Sequence, residues 1–91
     1  GTYIAFKNQD TFSVQVDLPA AAAGLSVCVF NYDGDDVVIN PDDADQIVVL
    51  TNAAGDSLTN TTAGDSICLV ALDATDWMAV PGRTGTWSDG N

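Results

Sequence analysis

The residue type that could do chemistry in this 91-residue chain is aspartate. All thirteen acidic residues are Asp, Glu and His are absent, and Lys7 and Arg83 are the only cations. The carboxylates crowd in two places: Asp33, Asp35 and Asp36 after Tyr32, and Asp42, Asp43 and Asp45 after Pro41. Two carboxylates at the right separation can cleave a glycoside, one acting as acid and the other as base or nucleophile. These lie in turns beside Gly or Pro, where Asp is expected for backbone reasons, and no apolar pocket is marked that would raise a carboxyl pKa. Calcium is the better ligand for them, since hard cations take carboxylate and carbonyl oxygens. The spacing has no twelve-residue loop and no closing Glu, so it is not an EF-hand; carboxylate rings about a trimer axis are another way to gather one ion. The plain alternative is a set of solvated turns that hold no cofactor.

Other chemistries find less. With no His, Ser66 in Gly-Asp-Ser-Ile has neither a base nor the GxSxG elbow. The chain therefore reads as a non-enzyme. Cys28 and Cys68 match no metal spacing and sit mid-run in two strand-like segments. The default is two buried thiols; a cross-strand disulfide requires those strands to be neighbours. Among the aromatic residues, Trp77 lies beside Met78 and Val80 and reads as core. Tyr32 and Trp87 are the candidates for stacking on a sugar, with Trp87 alternatively packed under a neighbouring subunit. Asn60-Thr61-Thr62 is formally a glycosylation sequon but carries no weight here.

The net charge of −11 disfavours nucleic acid and anionic membranes as partners. No stretch approaches the roughly 20 apolar residues of a membrane-spanning helix, and no signal peptide is visible. The chain opens at Gly1 without Met, so it is expected to be processed, tagged or excised from something longer.

The elements that must position these residues are strands. Asp in place of Glu, with many Val, Thr, Asn and Gly, argues against helices. Strands are expected at Thr2–Phe6, Phe12–Asp17, Leu25–Asn31, Asp36–Asn40, Gln46–Thr51, Ser57–Thr62, Ser66–Leu72, Trp77–Val80 and Gly85–Trp87. Ala20–Ala23 is too short to nucleate a helix and reads as a loop. Leu25–Asn31 is apolar almost throughout, so one face is expected on the core and the other on a neighbouring subunit. Across the Asp33–Asp35 turn, Asp36–Asn40 is expected to pair back on it as a hairpin. Ser57–Thr62 is placed at a sheet edge, Asp73–Asp76 is a tight turn, and Pro81–Arg83 should end its strand. Val27, Val29, Val37, Ile39, Ile47, Val49, Ile67, Leu69 and Trp77 are the expected core. Residues 1–91 make one domain, a compact antiparallel β-sandwich or jelly-roll-like unit of eight to nine short strands.

The order of these features resembles a small β-rich module found in bacteriophage tail fibres and related virion proteins. The resemblance is carried by LPAAAAGLS, a strand ending in Phe30-Asn31, an acidic Gly turn, VVINPDD, AAGDSLTN, AGDSICLVALDATDWMAV and the closing GRTGTWSDG, roughly Phe12–Trp87. Each motif is a plain strand-and-turn formula, so only the order is informative. Cys28 and Cys68 depart from it, because Thr is common at those places. The resemblance implies a structural component of a virus particle (a tail fibre, spike or capsid decoration). Such a component is often a homotrimer, in contact with copies of itself and other virion proteins, outside the cell and without catalytic residues. The alternatives are a receptor- or glycan-binding adhesin-like module, calcium-assisted or not, and a subunit of a cellular surface filament.

Overall fold

The computed structural model describes residues 3–8, 13–32 and 35–90. Its described residues contain no helix and form nine strands: β1 (Tyr3–Asn8), β2 (Val14–Asp17), β3 (Ser26–Asn31), β4 (Val37–Asn40), β5 (Gln46–Ile47), β6 (Leu58–Asn60), β7 (Ser66–Ala71), β8 (Asp76–Thr84) and β9 (Ser88–Asp89). They build a five-stranded sheet in the order β1-β3-β7-β8-β5 and a four-stranded sheet in the order β2-β4-β6-β9.

From β1 to β7 the chain changes sheet at every connection, and only β7 and β8 are successive neighbours within one sheet. This alternation gives the sheets their mixed character. The pairings β1–β3, β2–β4 and β5–β8 are parallel and the other four antiparallel, where the sequence suggested purely antiparallel pairing. It also removes the expected hairpin. β3 has both edges occupied by β1 and β7, and β4 both of its edges by β2 and β6, so the two cannot pair.

Period-2 alternation fixes which residues face inward. Val27 and Val29 on β3, Ile67, Leu69 and Ala71 on β7, and Trp77 on β8 meet Val16, Val37, Ile39 and Leu58 from the other sheet, with Ile47, Leu18, Ala21 and Trp87 closing the margins. Each large apolar side chain buried this way contributes about 1.5–3 kcal/mol. Of the nine expected core residues, eight are buried.

Val49 is the exception: it is 86% exposed with φ +60°. Strand β5 stops at Ile47 because that residue's carbonyl accepts the Leu50 N–H at 3.3 Å, the Thr51 N–H at 3.1 Å and the Thr51 hydroxyl at 3.0 Å. A Thr side chain offering the backbone a local partner competes with the ladder. The turn throws Val49 outward.

Other expectations also need correction. β6 is interior to its sheet, and β9 is the edge. β8 runs through Pro81: the register passes from Ile67↔Arg83 to Leu69↔Ala79, so two extra residues of β8 are taken up in an irregularity. A bulge is where a sheet can accept a residue with no N–H to give. The last strand is Ser88–Asp89 rather than Gly85–Trp87. The Asp73–Asp76 turn stands as expected: Asp73 Oδ1 accepts the N–H groups of Thr75 and Asp76, both at 2.9 Å.

Candidate functional site

The acidic turns hold the carboxylates that the sequence offers as ligands. Asp33 lies outside the described residues. Asp35, Asp36, Asp42 and Asp43 are exposed or half-buried, and Asp45 is buried. What they do locally is backbone work. The Asp36 carbonyl accepts the Val14 N–H at 2.8 Å, joining the entry of β2 to that of β4. Asp42 Oδ1 accepts the Asp43 N–H at 3.0 Å, and its carbonyl accepts the Asp45 N–H at 2.8 Å. Asp45 Oδ2 accepts the Ala21 N–H at 2.8 Å and so ties down the alanine loop from a position 24 residues away. Among the described residues, no three Asp or Cys side chains gather where they could hold a metal ion.

A second polar cluster lies between the sheets, and the sequence reading did not find it. Asn31 ends β3 and Asn60 ends β6; both are buried. Asn31 Nδ2 donates to Asn60 Oδ1 at 2.8 Å and to the Asp35 carbonyl at 3.0 Å. Asn60 Nδ2 donates to Asp65 Oδ2 at 2.8 Å and to the Thr86 carbonyl at 3.0 Å, while its Oδ1 also accepts the Thr62 N–H at 3.0 Å. One amide thus joins the last residue of β3 to β6, the turn before β7 and the chain leaving β8. The Asp65 carboxylate comes so close to Gly85 (φ +86°) that a Cβ there would collide with it. Buried amides satisfied to this degree rigidify a core. They leave no side-chain atom of Asn60 free to carry a sugar, which rules the sequon out in the folded chain. The available signal was position: both Asn residues fall on the inward parity of their strands.

Cys28 and Cys68 are joined. They lie directly opposite each other in the β3–β7 ladder, with Cα atoms 4.0 Å apart, and form a disulfide rather than the expected pair of buried thiols. Strand adjacency decided this, and both are half-buried on the outward side of the sheet. Trp87 is buried in the core and offers no face to a sugar. Tyr32 is exposed and packs against Phe30 with ring centroids 6.2 Å apart and planes tilted by 59°. Trp77 is fully buried, and its indole N–H has no acceptor among the described residues.

Asp17 and Asp73, both at the surface, are held below the ordinary aspartate range. Asp17 is lowered by hydrogen bonds from the Gln15 and Asn40 side chains (2.9 and 3.3 Å), and Asp73 chiefly by the Thr75 N–H. Each is thereby favoured as an anion, the opposite of what a general acid requires. No family model, curated protein or solved structure matches this chain.

Proposed function

We propose that this chain is a non-enzymatic structural module of a virus particle, a fibre, spike or decoration domain that assembles with copies of itself. The observation that carries the reading is how the chemically capable side chains are spent. Asn31, Asn60 and Asp45 hold backbone in place, and Cys28 and Cys68 staple two strands. A small all-β unit reinforced in this way suits a load-bearing role, and disulfides persist in oxidising surroundings outside the cytosol. The ordered resemblance to tail-fibre modules supplies the particle and the homotrimer.

The test is the solution mass by light scattering after gel filtration, with and without calcium. A mass three times that of the chain is expected, unchanged by calcium; a monomer at every concentration would overturn the self-assembling part. One observation favours a second reading, glycan recognition: Tyr32 stands exposed against Phe30, three residues before Asp35 in the chain. Binding to a glycan array that is lost in Tyr32→Ala would put that reading first.

A further inference from the structure

The chain contains one motif twice. Ala23, Gly24, Ser26, Cys28, Asp33, Asp36 and Pro41 recur 40 residues later as Ala63, Gly64, Ser66, Cys68, Asp73, Asp76 and Pro81. Both copies turn on a glycine of nearly equal φ, +92° at Gly24 and +91° at Gly64, and then enter the paired strands β3 and β7. The bonds that frame this ladder match at its two ends. At one end the Ala71 carbonyl accepts the Gly24 N–H at 3.1 Å, and the Ala71 N–H donates to the Leu25 carbonyl at 2.9 Å. At the other the Asn31 carbonyl accepts the Gly64 N–H at 2.8 Å, and the Asn31 N–H donates to the Asp65 carbonyl at 2.9 Å. Leu25 and Asp65 hold equivalent places in the two copies, as do Asn31 and Ala71, so a local twofold axis runs through the Cys28–Cys68 bridge. Beyond the ladder the copies diverge: β8 folds back on β7 across the Asp73–Asp76 turn, whereas β4 crosses to the other sheet.

The seam between the two halves runs through both sheets. The pairs β1–β3 and β2–β4 lie on one side, and β7–β8 and β6–β9 on the other. Joining them are the β3–β7 and β4–β6 ladders and the two-residue β5, which reaches over to β8. Cys28 and Cys68 are the only cysteines in the chain, so theirs is the one disulfide across the seam. Both are half-buried on the outward side of their sheet. The register sets Ala5 beside Cys28 on β1, and on the other flank the β7–β8 register skips Cys68, so neither flanking strand sets a bulky residue directly opposite the bridge.

We infer that the bridge is a redox-operated latch on this seam: an external dithiol opens it in the folded molecule, and the two halves then part more readily. A thiolate of the reductant attacks one bridge sulfur and expels the other as thiolate. The reductant's second thiol then attacks the mixed disulfide. The dithiol leaves as a disulfide, and its two electrons and two protons stay on Cys28 and Cys68 as two thiols. While closed, the bridge ties the halves at a second point besides the connection from β5 to β6, which restricts every opened state; reduction lifts that restriction over a separation of 40 residues. Disulfides persist in oxidising surroundings and are lost where thiols are kept reduced. The seam is therefore held in the first setting and released in the second, whether or not the chain belongs to a virus particle.

The experiment uses the whole chain and two readouts. The first follows reduction of the oxidised chain by dithiothreitol in native buffer, by mass shift after thiol capture, beside the rate of global unfolding. The reduction rate is expected to rise in proportion to the dithiol and to pass the unfolding rate. A rate that levels off at the unfolding rate would mean that the sulfurs are reached only in the unfolded chain, and overturns the latch. The second readout is residue-resolved amide exchange, with the bridge closed and with the chain kept reduced. Ladder alternation from the Asn31–Asp65 bond turns the N–H groups of Val27, Val29, Ile67 and Leu69 to the seam. Alternation from the bond between the Leu72 N–H and the Asp76 carbonyl turns those of Val70 and Met78 to one another, within the second half. Reduction is expected to quicken exchange at the four seam amides about tenfold more than at Val70 and Met78, with the circular dichroism spectrum kept. Equal quickening at both sets would mean that the bridge stabilises the fold as a whole, and no quickening that it restrains nothing; either result overturns the seam assignment. A reduced chain that is unfolded overturns it too, because the bridge would then be a condition of folding. The reduction kinetics start from the oxidised chain and are read independently of that result.

Discussion

The two outer faces of this sandwich are built from the same strand grammar and carry different chemistry. On the four-stranded sheet the outward row Gln15–Val38–Thr59–Ser88 is mostly polar, with Thr59 and Ser88 hydroxyls 3.4 Å apart and Asn40 donating to Asp17 alongside. On the five-stranded sheet the outward residues of β3, β7 and the opening of β8 are Ser26, Cys28, Phe30, Ser66, Cys68, Val70, Asp76 and Met78, polar at the starts of the strands and apolar beyond them. Both sheets turn an apolar face to the core, so stability of the fold explains only the inner pattern. A polar outer row is what a sheet facing water needs.

The comparison breaks most visibly at the bridge. It closes a 40-residue separation, for which the chain-entropy relation gives about 4 kcal/mol. Cys28→Ser/Cys68→Ser should therefore lower the melting temperature by roughly 15–30 °C, read by thermal circular dichroism. A shift of only a degree or two would mean that the stapled sheet owes nothing to its staple.

The next largest effect lies between the two faces. Asn60→Ala removes four hydrogen bonds, those with the buried Asn31 amide, the Thr62 N–H, the Asp65 carboxylate and the Thr86 carbonyl. Leaving buried groups unsatisfied costs ~1–3 kcal/mol each before relaxation, so a loss of about 3 kcal/mol in denaturant unfolding is expected. Asn60→Asp should also destabilise at neutral pH, because its carboxylate would face Asp65.

Val49 sharpens the comparison from the edge, since it is a fully outward apolar residue that no sheet face requires. A β-branched residue with φ near +60° is strained, and the left-handed conformation costs roughly 1–2 kcal/mol. Val49→Asn should raise stability by about 1 kcal/mol, whereas the same change at Val27 should be severely destabilising. A stability loss at position 49 would indicate that the Val side chain makes a contact the fold depends on.

The smallest effect concerns acid. The depressed values of Asp17 and Asp73 mean that folding favours their anions. The associated stability is complete above the ordinary aspartate pKa, about 3.9, and is lost as pH falls through their lower folded values. Asp17→Asn should accordingly leave the neutral-pH melting temperature little changed and shrink its difference from wild type below pH 4. A difference that widens on acidification would reverse the sign assigned here.

Sequence by itself determined that this chain is all-β and which side of most strands is wet. Period-2 alternation and Asp-Gly turns are local signals, and eight of the nine expected core residues follow from them. Strand partners were decided only by the tertiary structure. Leu25–Asn31 and Asp36–Asn40 read as a hairpin because proximity in sequence is the cheapest guide to pairing, but their edges went to strands farther away. From that assignment follow the parallel pairs, the Cys28–Cys68 bridge and the meeting of Asn31 with Asn60. Val49 shows the same limit on a small scale: the run Gln46–Thr51 has strand composition throughout, yet a Thr hydroxyl and two N–H groups converging on one carbonyl end it after two residues. Alternation is written residue by residue along the chain. Which ladder a strand joins depends on edges that exist only once the other strands are in place.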